Sequence, residues 1–199
     1  LVANMPESGD ADFSWKEFVR SNNDELVATY GNLVHRVLTF TYRNFNGSVP
    51  DPGELDASSQ ELLAKAQNAL KETDHHLYLC HFRDAIRVAM SLAQETNRYI
   101  DATAPWRSIK QNRQDCAQAL WTSIAVISTL KTMLYPFLPF SSNKLHALLG
   151  GEGKVEQLQW DFQPPPAGHP LREPAPLFSK LDDSIVQEET TRLAAPKAP

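Results

Sequence analysis

The stretch Glu95–Trp106 reads Glu-Thr-Asn-Arg-Tyr-Ile-Asp-Ala-Thr-Ala-Pro-Trp and joins two helices that the sequence predicts. Proline lacks an N–H group and has a fixed φ, so Pro105 suits the first turn of a new helix. Trp106 follows within that turn, where few residues of its own helix can bury an indole ring. A large aromatic side chain thus lies at a helix junction, five residues after Asp101. The ring serves either as a wedge between helices or as a surface for stacking.

Apolar residues recur every three or four positions over most of the chain, which predicts amphipathic helices. The expected helices run from Ser14 to about Phe45, from Ser58, from about Leu77 to Ala102, from Pro105 to about Tyr135, and from Ser141 or Ser142 to Leu149. Ser14 with Glu17, and Ser58 with Glu61, have the spacing of capping boxes. No charged residue occurs in Cys116–Leu130, which is typical of a helix surrounded by others.

The regular spacing of apolar residues is lost beyond Gly151. Six prolines between Pro164 and Pro176 are incompatible with a helix and predict an extended connection. We therefore expect an all-α bundle of about five helices at 14–150 and a Pro-rich strap at 151–183. A short link (1–13) precedes the bundle, and a polar tail (184–199), either a frayed helix or disordered, follows the strap.

The composition favours one domain with a real core: 199 residues, 42% of them hydrophobic. A net charge of −5 argues against a protein that coats nucleic acid non-specifically, but it permits a local patch that recognises a few unpaired bases. No apolar run is long enough for a membrane span, and no signal peptide is visible. We expect a cytoplasmic protein with no membrane partner, in which Cys80 and Cys116 are reduced core thiols.

Asn32 and Arg36 lie four residues apart on the first long helix, about 40° apart around its axis. They flank the apolar stripe of Leu33 and Val37, so both can reach solvent at the edge of the core. An amide and a planar guanidinium fork suit the edge of a nucleic-acid base. The pair alone is weak evidence, because most exposed Asn and Arg residues have no specific role.

Trp106 and Asp101 strengthen this interpretation. Proteins that read unpaired bases combine aromatic rings for stacking with polar groups for the base edges. Trp106 would supply the ring, and Asn32, Arg36 and Asp101 the polar groups. Cations that could hold phosphate groups occur near the same helix ends: Arg43, Arg98, Arg107, Lys110 and Arg113.

Six short motifs occur in the same order as in methionyl-tRNA synthetases. They are Asp-Phe-Ser-Trp (12–15), Asn-Asp-Glu-Leu (23–26), Gly-Asn-Leu-Val-His-Arg (31–36), Asn-Arg-Tyr-Ile-Asp-Ala-Thr-Ala-Pro-Trp (97–106), Tyr-Pro-Phe-Leu-Pro-Phe-Ser (135–141) and Pro-Leu-Phe-Ser-Lys-Leu (176–181). From about Asp12 to Asp183 the chain resembles the C-terminal helical anticodon-binding domain of that class I family.

The resemblance implies a partner and a set of site residues. Asn32, Arg36, Asp101 and Trp106 match family positions that lie at the anticodon stem-loop of methionine tRNA, where the Trp ring stacks on the anticodon. Lys180, in the last motif, is a further candidate on thinner ground. No catalytic residue is expected among them.

The family's catalytic signatures, a His-Ile-Gly-His-like motif and a Lys-Met-Ser-Lys-Ser-like loop, do not occur in this chain. We expect the chain to begin just after the catalytic domain, which would be its partner in the parent protein. By resemblance the parent uses ATP with Mg²⁺ and methionine. This stretch alone is expected to hold no cofactor and not to aminoacylate tRNA.

Two other assignments remain open: the equivalent domain of another class I synthetase (isoleucine, valine, leucine or cysteine), and a non-enzymatic helical scaffold that has lost RNA binding.

A metal site is not predicted. His75, His76, Cys80 and His81 are close in sequence, but His81 should point away from the face of His76 and Cys80, and no fourth ligand is near. Packing roles are expected for the other tryptophans: Trp15, Trp121 and Trp160.

Overall fold

The computed structural model describes residues 1–5, 7 and 12–194, and across these ranges it is helical with no β-strand. The α-helices are α1 (Trp15–Ser21), α2 (Asn32–Asn44), α3 (Ala57–Tyr78), α4 (Phe82–Thr103), α5 (Pro105–Ser108), α6 (Arg113–Leu134), α7 (Pro139–Leu148) and α8 (Ser184–Ala194). A π-helical segment, Asn22–Gly31, joins α1 to α2, and 3₁₀ turns occur at Val2–Asn4 and Val155–Gln157. The all-α prediction is confirmed.

The core forms where α3, α4 and α6 pack against one another. Every residue of α6 from Thr122 to Leu134 is buried, as the absence of charge from Cys116 to Leu130 predicts. The neighbouring helices are amphipathic instead: α4 buries one stripe that includes Ala89, Ala93 and Ile100. The central position of α6 therefore supports the helices that carry the candidate site.

Several predicted helix starts are wrong. Asp56 rather than Ser58 caps α3, because its Oδ1 accepts a hydrogen bond from Ser59 N at 2.7 Å. The helix expected from Leu77 starts at Phe82 (α4). The helix expected from Pro105 is broken, and α6 begins after Asn112, whose side chain caps it. α7 starts at Pro139, two residues before the first of the two predicted serines.

The π-helical segment determines where α2 begins. Ser14 caps α1 as predicted, but the chain then widens into π geometry before it returns to an α-helix at Asn32. A Cβ on Gly31 would lie 2.8 Å from the Leu26 carbonyl oxygen and 3.0 Å from the Phe178 ring, so glycine allows this close approach. Such π-helical insertions are frequent at functional sites.

The Pro-rich strap runs back across the bundle. Its backbone pairs with the loop after α2, where Val49 N donates to His169 O at 2.9 Å and Leu171 N donates to Gly47 O at 2.7 Å. At its end, Phe178 packs on Tyr30 with ring centroids 5.8 Å apart. The residues after the strap form α8 as far as they are described.

The two cysteines differ from each other. Cys116 is buried and free, but Cys80 is exposed in the turn between α3 and α4, so the prediction that both are core thiols is wrong for Cys80. Within the described ranges, no helix combines the length and the apolar character that crossing a membrane requires.

Lys131 is the one charged residue in the fully buried stretch of α6, and it is 6% exposed. Burial lowers the pKa of Lys131 to about 8, and no neighbouring charge contributes to the shift. A buried ammonium group without a carboxylate partner destabilises the folded state.

We expect Lys131→Met to raise the free energy of unfolding near pH 7 by about 1–2 kcal/mol. In the unfolded chain the Lys131 pKa returns to about 10.4, so below pH 8 the group is charged in both states and its destabilising effect is complete. Between about pH 8 and 10.4 the unfolded chain binds more protons, so this effect diminishes as the pH rises.

Urea titrations of wild type and variant near pH 7 and near pH 10 would measure this difference, which should shrink at the higher pH. Burial also raises the pKa of Tyr30 and of Cys116. Both groups are present in wild type and variant, so their contributions to the pH dependence of the unfolding free energy cancel in the difference. A difference that is independent of pH would contradict the assignment to Lys131.

Candidate nucleic-acid interface

The junction between α4 and α5 positions Trp106. Ala104 ends α4 in the left-handed region (φ 41) and also precedes the first turn of α5, so the chain changes direction within one residue. Pro105 occupies the first turn of α5 and is buried. The adjacent Trp106 side chain is 37% exposed, so it is not a wedge enclosed between helices.

Arg36 connects α2 to this junction. Its Nη1 lies 3.0 Å from Asp101 Oδ1 on α4, and its Cζ lies 5.2 Å from the centroid of the Trp106 ring on α5. The guanidinium is therefore held by a carboxylate and by an aromatic face. Its Nε is buried and has no hydrogen-bond partner in the part of the chain that the structure describes. Three of the predicted residues thus form one cluster.

A cavity of about 290 Å³ opens beside this cluster. Asn32 and Arg36 of α2 line it together with Pro105 and Trp106 of α5, and the buried Leu120 of α6 lies beneath them. Asn32 is exposed at the start of α2. The cavity therefore combines an aromatic surface, an amide and a guanidinium, which is the combination expected for an unpaired base.

Two polar residues that line this cavity, His35 and Thr39, were not predicted from the sequence as site residues. Within residues 1–5, 7 and 12–194 the buried Thr39 hydroxyl has no hydrogen-bond partner, whereas the hydroxyl of Thr41 in the same helix donates to Val37 O at 2.8 Å. Helical spacing could have identified Thr39, because it follows Arg36 by three residues and therefore lies on the same face of α2.

Lys180 is exposed near the end of the strap, and within the described residues no hydrogen bond, salt bridge or cation–π contact joins it to the other four site residues. Of the predicted phosphate-binding cations, Arg98 forms a salt bridge with Glu95, and Arg113 stacks on Phe45 at 4.5 Å. Three others form no salt bridge within the described part of the chain: Arg43, Arg107 and Lys110.

The other tryptophans have packing roles. Trp121 and Trp160 pack against the core, and Trp160 Nε1 donates to Leu70 O at 3.3 Å. Trp15 makes an edge contact with Phe18 at 5.7 Å. Trp106 therefore differs from them in lying at the cavity with an exposed ring.

Two family models match the chain. The model of the anticodon binding domain of methionyl tRNA ligase matches residues 49–198. The model of class I (M) tRNA synthetases matches residues 1–38, which extends beyond the expected link (1–13) into α2. Both matches name methionine, so they favour this family over the other class I synthetases.

Curated relatives agree with these matches. A methionine–tRNA ligase of Dehalococcoides mccartyi is 53% identical over 193 residues, which cover 97% of this chain and 35% of that protein. A methionine–tRNA ligase of Chloroflexus aurantiacus is 40% identical over 214 residues, which cover 94% and 36%. The chain therefore spans about a third of the length of these relatives.

Two solved structures share the fold. The apo form of Mycobacterium tuberculosis methionyl-tRNA synthetase matches with a TM-score of 0.83 and 23% identity, over 91% of this chain and 37% of that chain. The same organism's synthetase in complex with methionyl-adenylate gives a TM-score of 0.76 and 24% identity, over 83% and 33%. At these identities the likeness supports the helical bundle alone.

Proposed function

Because the chain belongs to the family of methionyl-tRNA ligase anticodon-binding domains, we propose that its cavity binds the anticodon loop of methionine tRNA. The observation that carries this proposal is the position of Arg36, 5.2 Å from the exposed Trp106 ring and 3.0 Å from Asp101. This arrangement offers a stacking surface and base-edge groups at one opening.

In the proposed complex an unpaired base stacks on the exposed part of the Trp106 ring. The Arg36 fork and the Asn32 amide hydrogen-bond to base edges, and the Asp101 carboxylate accepts from an exocyclic amino group. Asp101 is 61% exposed, so its salt bridge with Arg36 contributes little energy, about 0–1 kcal/mol. The guanidinium can therefore exchange this carboxylate for a base at small cost.

A fluorescence titration with a labelled anticodon stem-loop of methionine tRNA tests the proposal. We expect saturable binding that weakens with salt, because Lys and Arg contacts to phosphate release counterions. Binding should also weaken when the anticodon is replaced by that of isoleucine, valine, leucine or cysteine. Binding that shows neither salt dependence nor anticodon preference would instead favour a scaffold that has lost RNA recognition.

We expect Arg36→Lys to reduce the preference for the methionine anticodon by about 1 kcal/mol, the lower end of the range for a bidentate base contact. Lysine keeps the positive charge but lacks the planar fork, so discrimination should fall more than overall affinity. Titrations with the methionine anticodon and an altered one measure both quantities. Arg98→Lys is the matched control, because Arg98 forms a salt bridge with Glu95 instead. An equal loss of discrimination in both variants would contradict the assignment.

The same proposal places the chain within a cytoplasmic methionine–tRNA ligase whose catalytic domain uses ATP, with Mg²⁺, and methionine. In that protein the cavity contributes to the choice of tRNA and takes no chemical part in aminoacylation. Lys180 would add a contact to the same RNA from the end of the strap.

A further inference from the structure

A second cluster of polar side chains lies at the turn between α3 and α4. One possible ligand atom from each of His76, His81 and Asp84 lies within 4.8 Å of the other two. Asp84 and Asp101 are both on α4, seventeen residues apart, which corresponds to about 25 Å along the helix. The cluster is therefore separate from the proposed RNA site.

The turn itself brings these residues together. Cys80 adopts the left-handed region (φ 58), and His81 N donates to His76 O at 2.8 Å. The two imidazole rings consequently lie side by side, with centroids 6.1 Å apart. The expectation that His81 points away from His76 is wrong, and Asp84, rather than Cys80, completes the group.

The ring of His76 has the surroundings of a metal-binding histidine. Its Nδ1 is buried and has no hydrogen-bond partner among the described residues, and its Nε2 lies 3.7 Å from Glu72 Oε1. In metal sites one imidazole nitrogen binds the ion, and the other donates to a carboxylate that orients the ring. His76 has both a nitrogen without a partner and a nearby carboxylate.

Arg87 pairs with Asp84 in the structure and would compete only weakly with a cation for its carboxylate. Arg87, three residues later on α4, contacts the Asp84 carboxylate, and the Arg87 side chain is 74% exposed. Exposed pairs of this kind contribute little to stability. A divalent ion held by two imidazoles would displace the Arg87 side chain into solvent without burying its charge.

We propose that His76, His81 and Asp84 bind a zinc ion that ties the end of α3 to the start of α4. Imidazole nitrogens and carboxylate oxygens bind Zn²⁺ tetrahedrally at about 2.0–2.2 Å, which places ligand atoms about 3.3–3.6 Å apart. Side-chain rotations need to bring these atoms closer by up to about 1.5 Å. The fourth position is taken by water.

The site lies at the end of the bundle that contacts the N-terminal segment, where Arg83 N donates to Glu7 Oε1 at 2.9 Å. Residues 1–38, which include this segment, match the class I synthetase model and not the anticodon-binding model. Zinc would stiffen the turn beside that junction and leave the RNA-binding end unchanged.

Isothermal titration of Zn²⁺ into the whole chain tests the proposal. One saturable site is expected in the wild type, with affinity reduced about tenfold or more by His81→Ala and by Asp84→Asn. Zinc should raise the Tm of the wild type and have little effect on the Tm of either variant. Circular dichroism without zinc would establish that both variants fold.

His75→Ala is the matched control, because His75 is an exposed histidine next to the cluster but outside it. Cys80→Ser controls for binding by the exposed thiol. Unchanged zinc affinity in both controls supports the proposed ligands. The absence of a saturable site, an equal loss in His75→Ala, or a loss in Cys80→Ser would overturn them. Zinc binding is measured without RNA, so this outcome is independent of the anticodon titrations.

Discussion

Replacing Trp106 by alanine is expected to weaken binding of the methionine tRNA anticodon stem-loop by about 1–3 kcal/mol, because one base loses its stacking surface. The ring is 37% exposed and belongs to a helix of only four residues, so its removal should disturb the core little. The salt bridge between Arg36 and Asp101 does not involve the indole and should persist. Fluorescence titration of wild type and variant at one salt concentration measures the change.

Phe140→Ala is the matched control for this experiment. Phe140 is an aromatic residue on α7 that is 89% exposed and does not line the cavity. Its replacement should leave RNA affinity unchanged, while both variants keep the thermal midpoint close to that of the wild type. If Trp106→Ala binds as tightly as Phe140→Ala, the indole does not serve as a stacking surface, and the proposed anticodon site loses its central element.

The burial of α6 could be predicted because it follows from composition alone. A helix with no charge from Cys116 to Leu130 has no face suited to water, so it must be surrounded. The clustering of Arg36, Asp101 and Trp106 could be anticipated from the motifs, but their distances depend on how α2 packs against the junction of α4 and α5.

One predicted helix start failed because the chain reverses there without the usual marker. Left-handed positions normally carry Gly or Asn, but Cys80 occupies such a position between α3 and α4. Cysteine does not mark a turn in the sequence, whereas the boundary between α4 and α5 lies close to the predicted one because Pro105 marks it. The same reason explains why the position of His81 beside His76 was missed, since only the geometry at Cys80 brings the two rings together.

The unsatisfied polar atoms were also beyond the reach of the sequence. A threonine in a helix often donates to the carbonyl four residues earlier, as Thr41 and Thr96 do. Nothing in the sequence distinguishes them from Thr39, whose buried hydroxyl has no partner. Such differences arise from tertiary packing and appear only in coordinates.

The second large effect is expected in the core beneath the site. Leu120 of α6 is fully buried and contributes to the cavity between α2 and the junction of α4 and α5. Leu120→Ala removes buried methyl groups and leaves a void that these helices cannot fully close, which should cost about 2–5 kcal/mol in the free energy of unfolding. A urea titration monitored by far-ultraviolet circular dichroism, which reports helix content, measures this loss of stability.

Leu193→Ala is the control, because Leu193 on α8 is 72% exposed and its replacement should change stability by less than about 0.5 kcal/mol. Leu120 has no exposed surface for a base to touch, so under folding conditions Leu120→Ala should reduce RNA affinity less than Trp106→Ala does. An unfolding free energy equal to that of Leu193→Ala would show that the cavity collapses freely around position 120. A loss of RNA affinity as large as that of Trp106→Ala would show instead that the packing of α6 holds the ring in its binding position.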